Sequence, residues 1–204
     1  MTLASAERAQ LPAEIPLFPL NLVLFPDGVL QLKLFEARYL DMAARCMRTN
    51  SPFGVCLIRE GSEVGEVAQP HDLGSMATIV DWDMSQPGLL FITTRGGPRF
   101  RIIERTIQSD RLQTARVSWL DEPPPPVPGR LAGAVPLRRA LVADAGPDAF
   151  AQPHRFDDAT WVGYRLAEIL PIPTEARLRL LELDDTISRL EIIHAFLKQH
   201  RLID

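Results

Sequence analysis

Up to residue 120 the apolar positions recur mostly with a period of two, in short runs broken by proline and glycine. Beyond that point they recur with the period of a helix. Residues 15–20 (IPLFPL) are a short apolar run punctuated by Pro16 and Pro19. The run reads as a buried strand at a sheet edge, because proline cannot donate to a ladder. Pro26-Asp27-Gly28 joins a fixed φ, a side chain able to bond its own backbone and a residue free to take positive φ, and reads as a turn. In residues 30–34 the leucines at 30, 32 and 34 share one face while Gln31 and Lys33 take the other, the pattern of a half-buried strand. Residues 35–50 change period. Phe35, Tyr39, Met42 and Cys46 fall on one side of a helix, and Arg38, Asp41, Arg45 and Arg48 form the opposite stripe.

Residues 53–59 (FGVCLIR) have the length of a buried strand, and residues 61–72 read as a loop or hairpin. In residues 76–84, Val80, Trp82 and Met84 alternate with Asp81 and Asp83. Pro87-Gly88 turns the chain into residues 89–94, Gly96-Gly97-Pro98 predicts another turn into residues 99–107, and residues 112–120 supply a further strand. Seven or eight short strands around one helix have the spacing of a small barrel or curled sheet. The prolines at 123–126, with Pro128-Gly129, mark a stiff polyproline spacer. After it the pattern predicts helices over 131–143, from Asp157 or Asp158 through Leu170 with Trp161 and Tyr164 buried, over 174–183 and over 185–200. The fold class is α+β: a sheet domain over 14–121, a linker over 122–129 and a helical domain over 130–204.

Several of these stretches also carry a family pattern. Pro16-Leu17-Phe18-Pro19-Leu20, Phe25-Pro26-Asp27-Gly28 and Phe35-Glu36-Ala37-Arg38-Tyr39 resemble the opening of the substrate-binding domain at the N-terminus of the ATP-dependent Lon protease. Gly96-Gly97-Pro98-Arg99-Phe100 is similar to that domain's G-x-x-R-F strand, and residues 161–183 look like its helical half. The resemblance implies a PUA-like β-barrel with one inserted helix, followed by a C-terminal helical bundle. It also implies a stand-alone, bacterial-type, non-enzymatic binding protein for unfolded or tagged polypeptide, or an accessory to proteolysis, whose partners are protein or peptide clients and a protease. The candidate substrate-binding residues are Phe35, Arg38 and Tyr39, which would border a groove for an extended peptide, together with Trp82 and Arg99. The same F-E-x-R-Y run has a structural reading, with Glu36 at the positive end of a helix and Arg38 paired to it.

Composition changes this picture little. A chain of 204 residues with 46% hydrophobic and 24% charged positions is ordinary for a soluble globular protein. A net charge of −4 argues against broad attraction to nucleic acid or anionic membrane. One local exception supports an alternative reading as an RNA-binding module. Arg95, Arg99, Arg101, Arg105, Arg111 and Arg116 stand against only Glu104 and Asp110 and would grip phosphates if they converged. Stacking aromatics there are limited to Phe100 and Trp119.

Catalytic machinery is missing from the pattern. The sequence has no G-x-x-x-x-G-K-[ST] loop, no G-x-S-x-G elbow and no H-E-x-x-H pair. No catalytic residue, metal ligand or cofactor is therefore expected. Asp81 and Asp83 lie within ~7 Å on one strand face, a spacing usable for paired-carboxylate hydrolysis and equally for a solvated surface. The four histidines, at 71, 154, 194 and 200, are scattered, and His194 shares a stripe with Ile187, Leu190 and Leu197, as a core histidine would. Cys46 and Cys56 lack C-x-x-C spacing and read as buried reduced thiols. The first 14 residues carry no apolar leader and no run reaches the ~20 apolar residues of a membrane span. The expected location is the cytoplasm, with no membrane partner.

Overall fold

Hydrogen-bond pairing turns these runs into two compact units that meet in sequence at Leu120 and Asp121. The structure, a computed structural model, describes residues 11–120, 125–131 and 153–203. The first unit contains strands β1 (Glu14–Leu20), β2 (Val29–Leu34), β3 (Phe53–Glu60), β4 (Gln69–Gln86), β5 (Leu89–Ile107) and β6 (Gln113–Trp119), with helix α1 (Ala37–Thr49) between β2 and β3. The described part of the second contains α2 (Ala159–Ile169), α3 (Thr174–Glu182) and α4 (Thr186–Gln199). The fold is α+β.

The sheet is mixed, with strand order β2-β5-β4-β3-β1-β6 and a further β5–β6 pairing. That last pairing closes a ring through β5, β4, β3, β1 and β6, and β2 hangs on the outside of β5. Among the described residues six strands stand where seven or eight short ones were predicted, because β4 and β5 are 18 and 19 residues long. Residues 69–72, expected in a loop, open β4, and Gly96-Gly97-Pro98 is no turn. β5 simply changes partners there. It pairs with β2 over 90–95 and with β6 over 100–107, so Pro98 falls between two ladders and removes no bond from either.

Pro16 and Pro19 follow similar logic, which corrects their placement at a sheet edge. β1 has a neighbour on each side, but the two pairings are staggered. Residues 14–17 pair with β6 and residues 17–20 with parallel β3. Each proline thus lies where β1 has a partner on one side only.

The core forms in two clusters. Phe18, Leu34, Tyr39, Met42, Cys46, Phe53, Leu90 and Ile92 pack α1 against the strands, while Ile15, Leu17, Cys56, Phe100, Ala115 and Val117 fill the ring. Phe100 is fully buried, a burial that contributes about 2–3 kcal/mol. Its ring leaves no room for side chains around it: a Cβ on Gly54 or Gly74 would lie 2.5 and 2.8 Å from it.

In the helical unit Asp158 caps α2, its carboxylate accepting from the N–H groups of Thr160 and Trp161 at 2.9 and 3.2 Å, and Trp161 and Tyr164 are buried. Asp185 caps α4 by accepting from Ser188 N–H at 2.8 Å. Arg189, fully buried, donates to the carbonyls of Leu180 and Leu183 and sits over the Tyr164 ring. The described end of the proline run is bonded to α2: Val127 N–H donates to Asp157, and Ala159 N–H to Pro125. The helix expected over 131–143 lies outside the described residues apart from Leu131, which ends a 3-10 turn (Gly129–Leu131).

Candidate functional site

β3 pairs with β4 only as far as the Phe53–Ala77 register, whereas β4 continues beside β5 to the Gln86–Leu89 pair. Residues 78–86 of β4 therefore have a strand on one side and, among the described residues, none on the other. This open edge is about 30 Å long. Its backbone donors and acceptors face outward in a row, the feature most proteins cover or twist away. A bulge between Ile79 and Asp81 and another beyond Asp83 interrupt its register with β5.

Side chains along the edge divide between two faces. Trp82 is in register with Ile92, which is buried in the core, and Ile92 with Leu32. Trp82 thus lies on the core side of the sheet but at its rim, where α1 no longer covers it, and is 57% exposed. On the outer side, Asp83, Phe91 and Lys33 form one cross-strand row and Asp81, Thr93 and Gln31 the next. A cleft of about 240 Å³ runs between Thr78, Ile79, Val80 and Trp82 of β4 and Cys46, Met47, Asn50 and Ser51 at the end of α1. A second, of about 330 Å³, is lined on the outer face by Lys33, Asp81, Asp83, Phe91 and their neighbours. Trp82 lines both. Val80, Trp82, Met84 and Phe91 leave an unusual concentration of large apolar surface on this one edge.

The five residues singled out from sequence separate into two groups. Trp82 and Phe35 are exposed, and Phe35 follows directly on β2, whose last registered pair is Leu34–Leu90. Arg38, Tyr39 and Arg99 are buried, at 7%, 6% and 1% exposure. Arg38 sits on the helix side opposite to its predicted polar stripe. It bonds Glu36 at 2.8 Å and donates to the carbonyls of Gly65 and Arg111 at 3.2 and 3.4 Å. Tyr39 stacks on Phe18 with ring centres 4.1 Å apart, and burial raises its hydroxyl pKa against the pull of Arg38. Peptide addition at an open barrel edge is an expectation from the sequence, but not its location: the free rim of β4 had a signal in the alternation of residues 80–84, and which strand ends early is decided by β3.

The arginines of residues 95–116 do not gather. Arg95 and Arg105, on one strand, are separated by about 33 Å of chain. Arg95 pairs with Asp27, Arg111 with Glu66 and Arg116 with Glu104, while Arg105 donates to the Gln113 side chain. Asp81 and Asp83 are exposed on the outer face. Cys46 and Cys56 are buried and not disulfide-bonded. On the helical unit, Leu170, Ile172, Leu180, Leu183, Ile193 and Phe196 line an apolar cleft of about 460 Å³. No helix among the described residues is long and apolar enough to cross a membrane.

Comparison with known proteins agrees with this architecture. Residues 14–199 match the family described as the ATP-dependent protease La (LON) substrate-binding domain. A solved Lon N-terminal domain protein from Xanthomonas campestris is 37% identical, with a TM-score of 0.73 over 90% of this chain and 98% of that one. The N-terminal domain of a Mycobacterium avium complex Lon protease is similar in fold, at 13% identity and a TM-score of 0.61, over 92% of this chain and 99% of that one.

Proposed function

Because the chain belongs to the Lon substrate-binding domain family, we propose that it is a non-enzymatic recognition protein that captures unfolded or tagged polypeptide by adding an extended segment to the open edge of β4. One observation carries this reading. β4 runs nine residues beyond its last pair with β3, and that stretch combines a side with no neighbouring strand among the described residues with Trp82 and a cleft on each face. Strand addition draws affinity from main-chain hydrogen bonds and selectivity from alternate side chains. In a proteolytic setting such a module would hand clients to a protease. The arginines of residues 95–116 are dispersed, and three of them, Arg95, Arg111 and Arg116, are paired with carboxylates, which does not favour RNA.

Trp82 supplies the test. Of the three tryptophans, Trp161 is buried and Trp119 is packed on Phe100 with its indole N–H donating to Pro12, so Trp82 is the exposed one. Binding of a reduced, carboxymethylated polypeptide should shift the emission of the wild-type protein to the blue. The Trp82→Ala variant should lose that shift and bind about tenfold more weakly, as loss of an aromatic anchor predicts. Unchanged affinity in Trp82→Ala, with no spectral shift in the wild type, overturns the proposal.

A further inference from the structure

The two aspartates on the same edge carry the reading one step further, to the kind of segment it takes. We infer that the β4 edge selects extended polypeptide in which basic side chains alternate with apolar ones; this rests on strand addition at β4. A strand laid along residues 81–84 places its side chains alternately on the two faces of the sheet. Those on the outer face come opposite Asp81 and Asp83, at the ~5 Å spacing of directly paired strands, and those on the core side meet Trp82.

The charge along this edge has one sign. From Asp72 to Thr94 the sequence contains three aspartates and no lysine or arginine. Two cations share the outer face among the described residues: Lys33 belongs to β2, with β5 between it and β4, and its ammonium lies 5.8 Å from the centre of the Phe91 ring, while Arg95 of β5 is paired with Asp27 at 2.8 Å. A second copy of the chain is a poor occupant. Antiparallel self-pairing about Trp82 would set Asp81 against Asp83 twice, and like charges directly opposite destabilise a pair of strands. A purely apolar strand would place no opposite charge across from Asp81 and Asp83. A basic–apolar alternation satisfies both faces at once.

The experiment uses the whole protein and three labelled peptides of about ten residues, with valine alternating with lysine, serine or glutamate. At about 50 mM salt the valine–lysine peptide should bind about tenfold more tightly than valine–serine, with valine–glutamate weakest. That advantage should fall below about threefold at about 500 mM salt, where the Debye length is short. It should also fall in the Asp81→Asn/Asp83→Asn variant. Equal binding of the lysine and serine peptides, or a lysine preference that survives the double substitution, overturns the charge selection and leaves strand capture standing. Failure of all three peptides to bind, with Trp82→Ala also without effect on unfolded polypeptide, removes strand capture and the selection together.

Discussion

Replacing Gly96 with alanine tests the joint that holds the three-stranded stretch β2–β5–β4 to the rest of the sheet. A Cβ at residue 96 would lie 2.1 Å from the carbonyl oxygen of Phe25 and 3.1 Å from its carbon. Both are backbone atoms, so no side chain can swing aside. Phe25 itself is fully buried. The turn after it must therefore retreat by more than 1 Å to restore ordinary contact. Retreat breaks two bonds that now lock turn to strand, Asp27 N–H to the Gly96 carbonyl and Gly96 N–H to the Gly28 carbonyl, both 2.8 Å. Each is worth about 1 kcal/mol, and overpacking against a fixed backbone costs about 1–3 kcal/mol more. The sum, about 3–5 kcal/mol, is a large part of a typical domain's stability.

Gly88 is the matched control. Its φ is +78° and nothing lies within 4 Å of an added Cβ, so alanine there costs only the left-handed penalty of about 1–2 kcal/mol. Urea unfolding followed by circular dichroism reads both variants. Gly96→Ala should lose clearly more stability than Gly88→Ala. If it loses less, or stays within about 1 kcal/mol of wild type, residue 96 is not the tight joint described.

Two further outcomes follow from buried groups. Arg38→Met should lower stability by about 2–4 kcal/mol by stranding Glu36 and two carbonyls, yet leave peptide affinity within about twofold; a selective loss of binding at unchanged melting temperature would return Arg38 to the substrate-binding set. Alkaline pH should also destabilise the fold. Burial raises the pKa values of Cys46, Cys56 and Tyr39, so the native state keeps protons that the unfolded state releases. Their stabilising contribution is whole below the unfolded thiol value of 9.0 and is lost as pH climbs from there toward the raised native values, by up to about 1.4 kcal/mol per pH unit for each thiol. The urea midpoint should fall as pH rises from about 9 to about 10.5, less steeply in Cys56→Ala; a midpoint that stays level would contradict the burial of these groups.

Local chemistry was readable wherever neighbours in sequence decide it. The alternation of residues 30–34, the burial of Tyr39, Met42 and Cys46 on α1, the cap, read as Asp157 or Asp158 and found at Asp158, and the burial of Trp161 and Tyr164 all depend on side chains a few positions apart, and the structure places them accordingly. Gly96-Gly97-Pro98 misled because turn chemistry and close backbone approach call for the same residues. Only the distant Phe25–Gly28 segment distinguishes them. Arg38 misled for a related reason. An arginine on a surface-like stripe is buried when carbonyls from remote loops accept its hydrogen bonds, as those of Gly65 and Arg111 do for Arg38. The location of the open edge on β4 was hidden for the same cause, since β3 is what ends early.

These long-range ties also bear on how the edge would work. Gly96 docks the 25–28 turn on β5, the Arg95–Asp27 pair braces the same junction at 2.8 Å, and Arg38 ties α1 to two loops. The strand that supports β4 is therefore held independently of any bound chain. An incoming segment meets a backbone already in its binding shape, and the ordering cost falls almost entirely on the segment, at about 1–2 kcal/mol per residue. Hydrogen bonds at about 1 kcal/mol each barely offset that cost. On the proposed reading, what would separate one client from another is the contact with Trp82 and the charge facing Asp81 and Asp83. A preformed edge of this kind would hold single segments weakly and discriminate through side chains, as the proposed capture and release of clients requires.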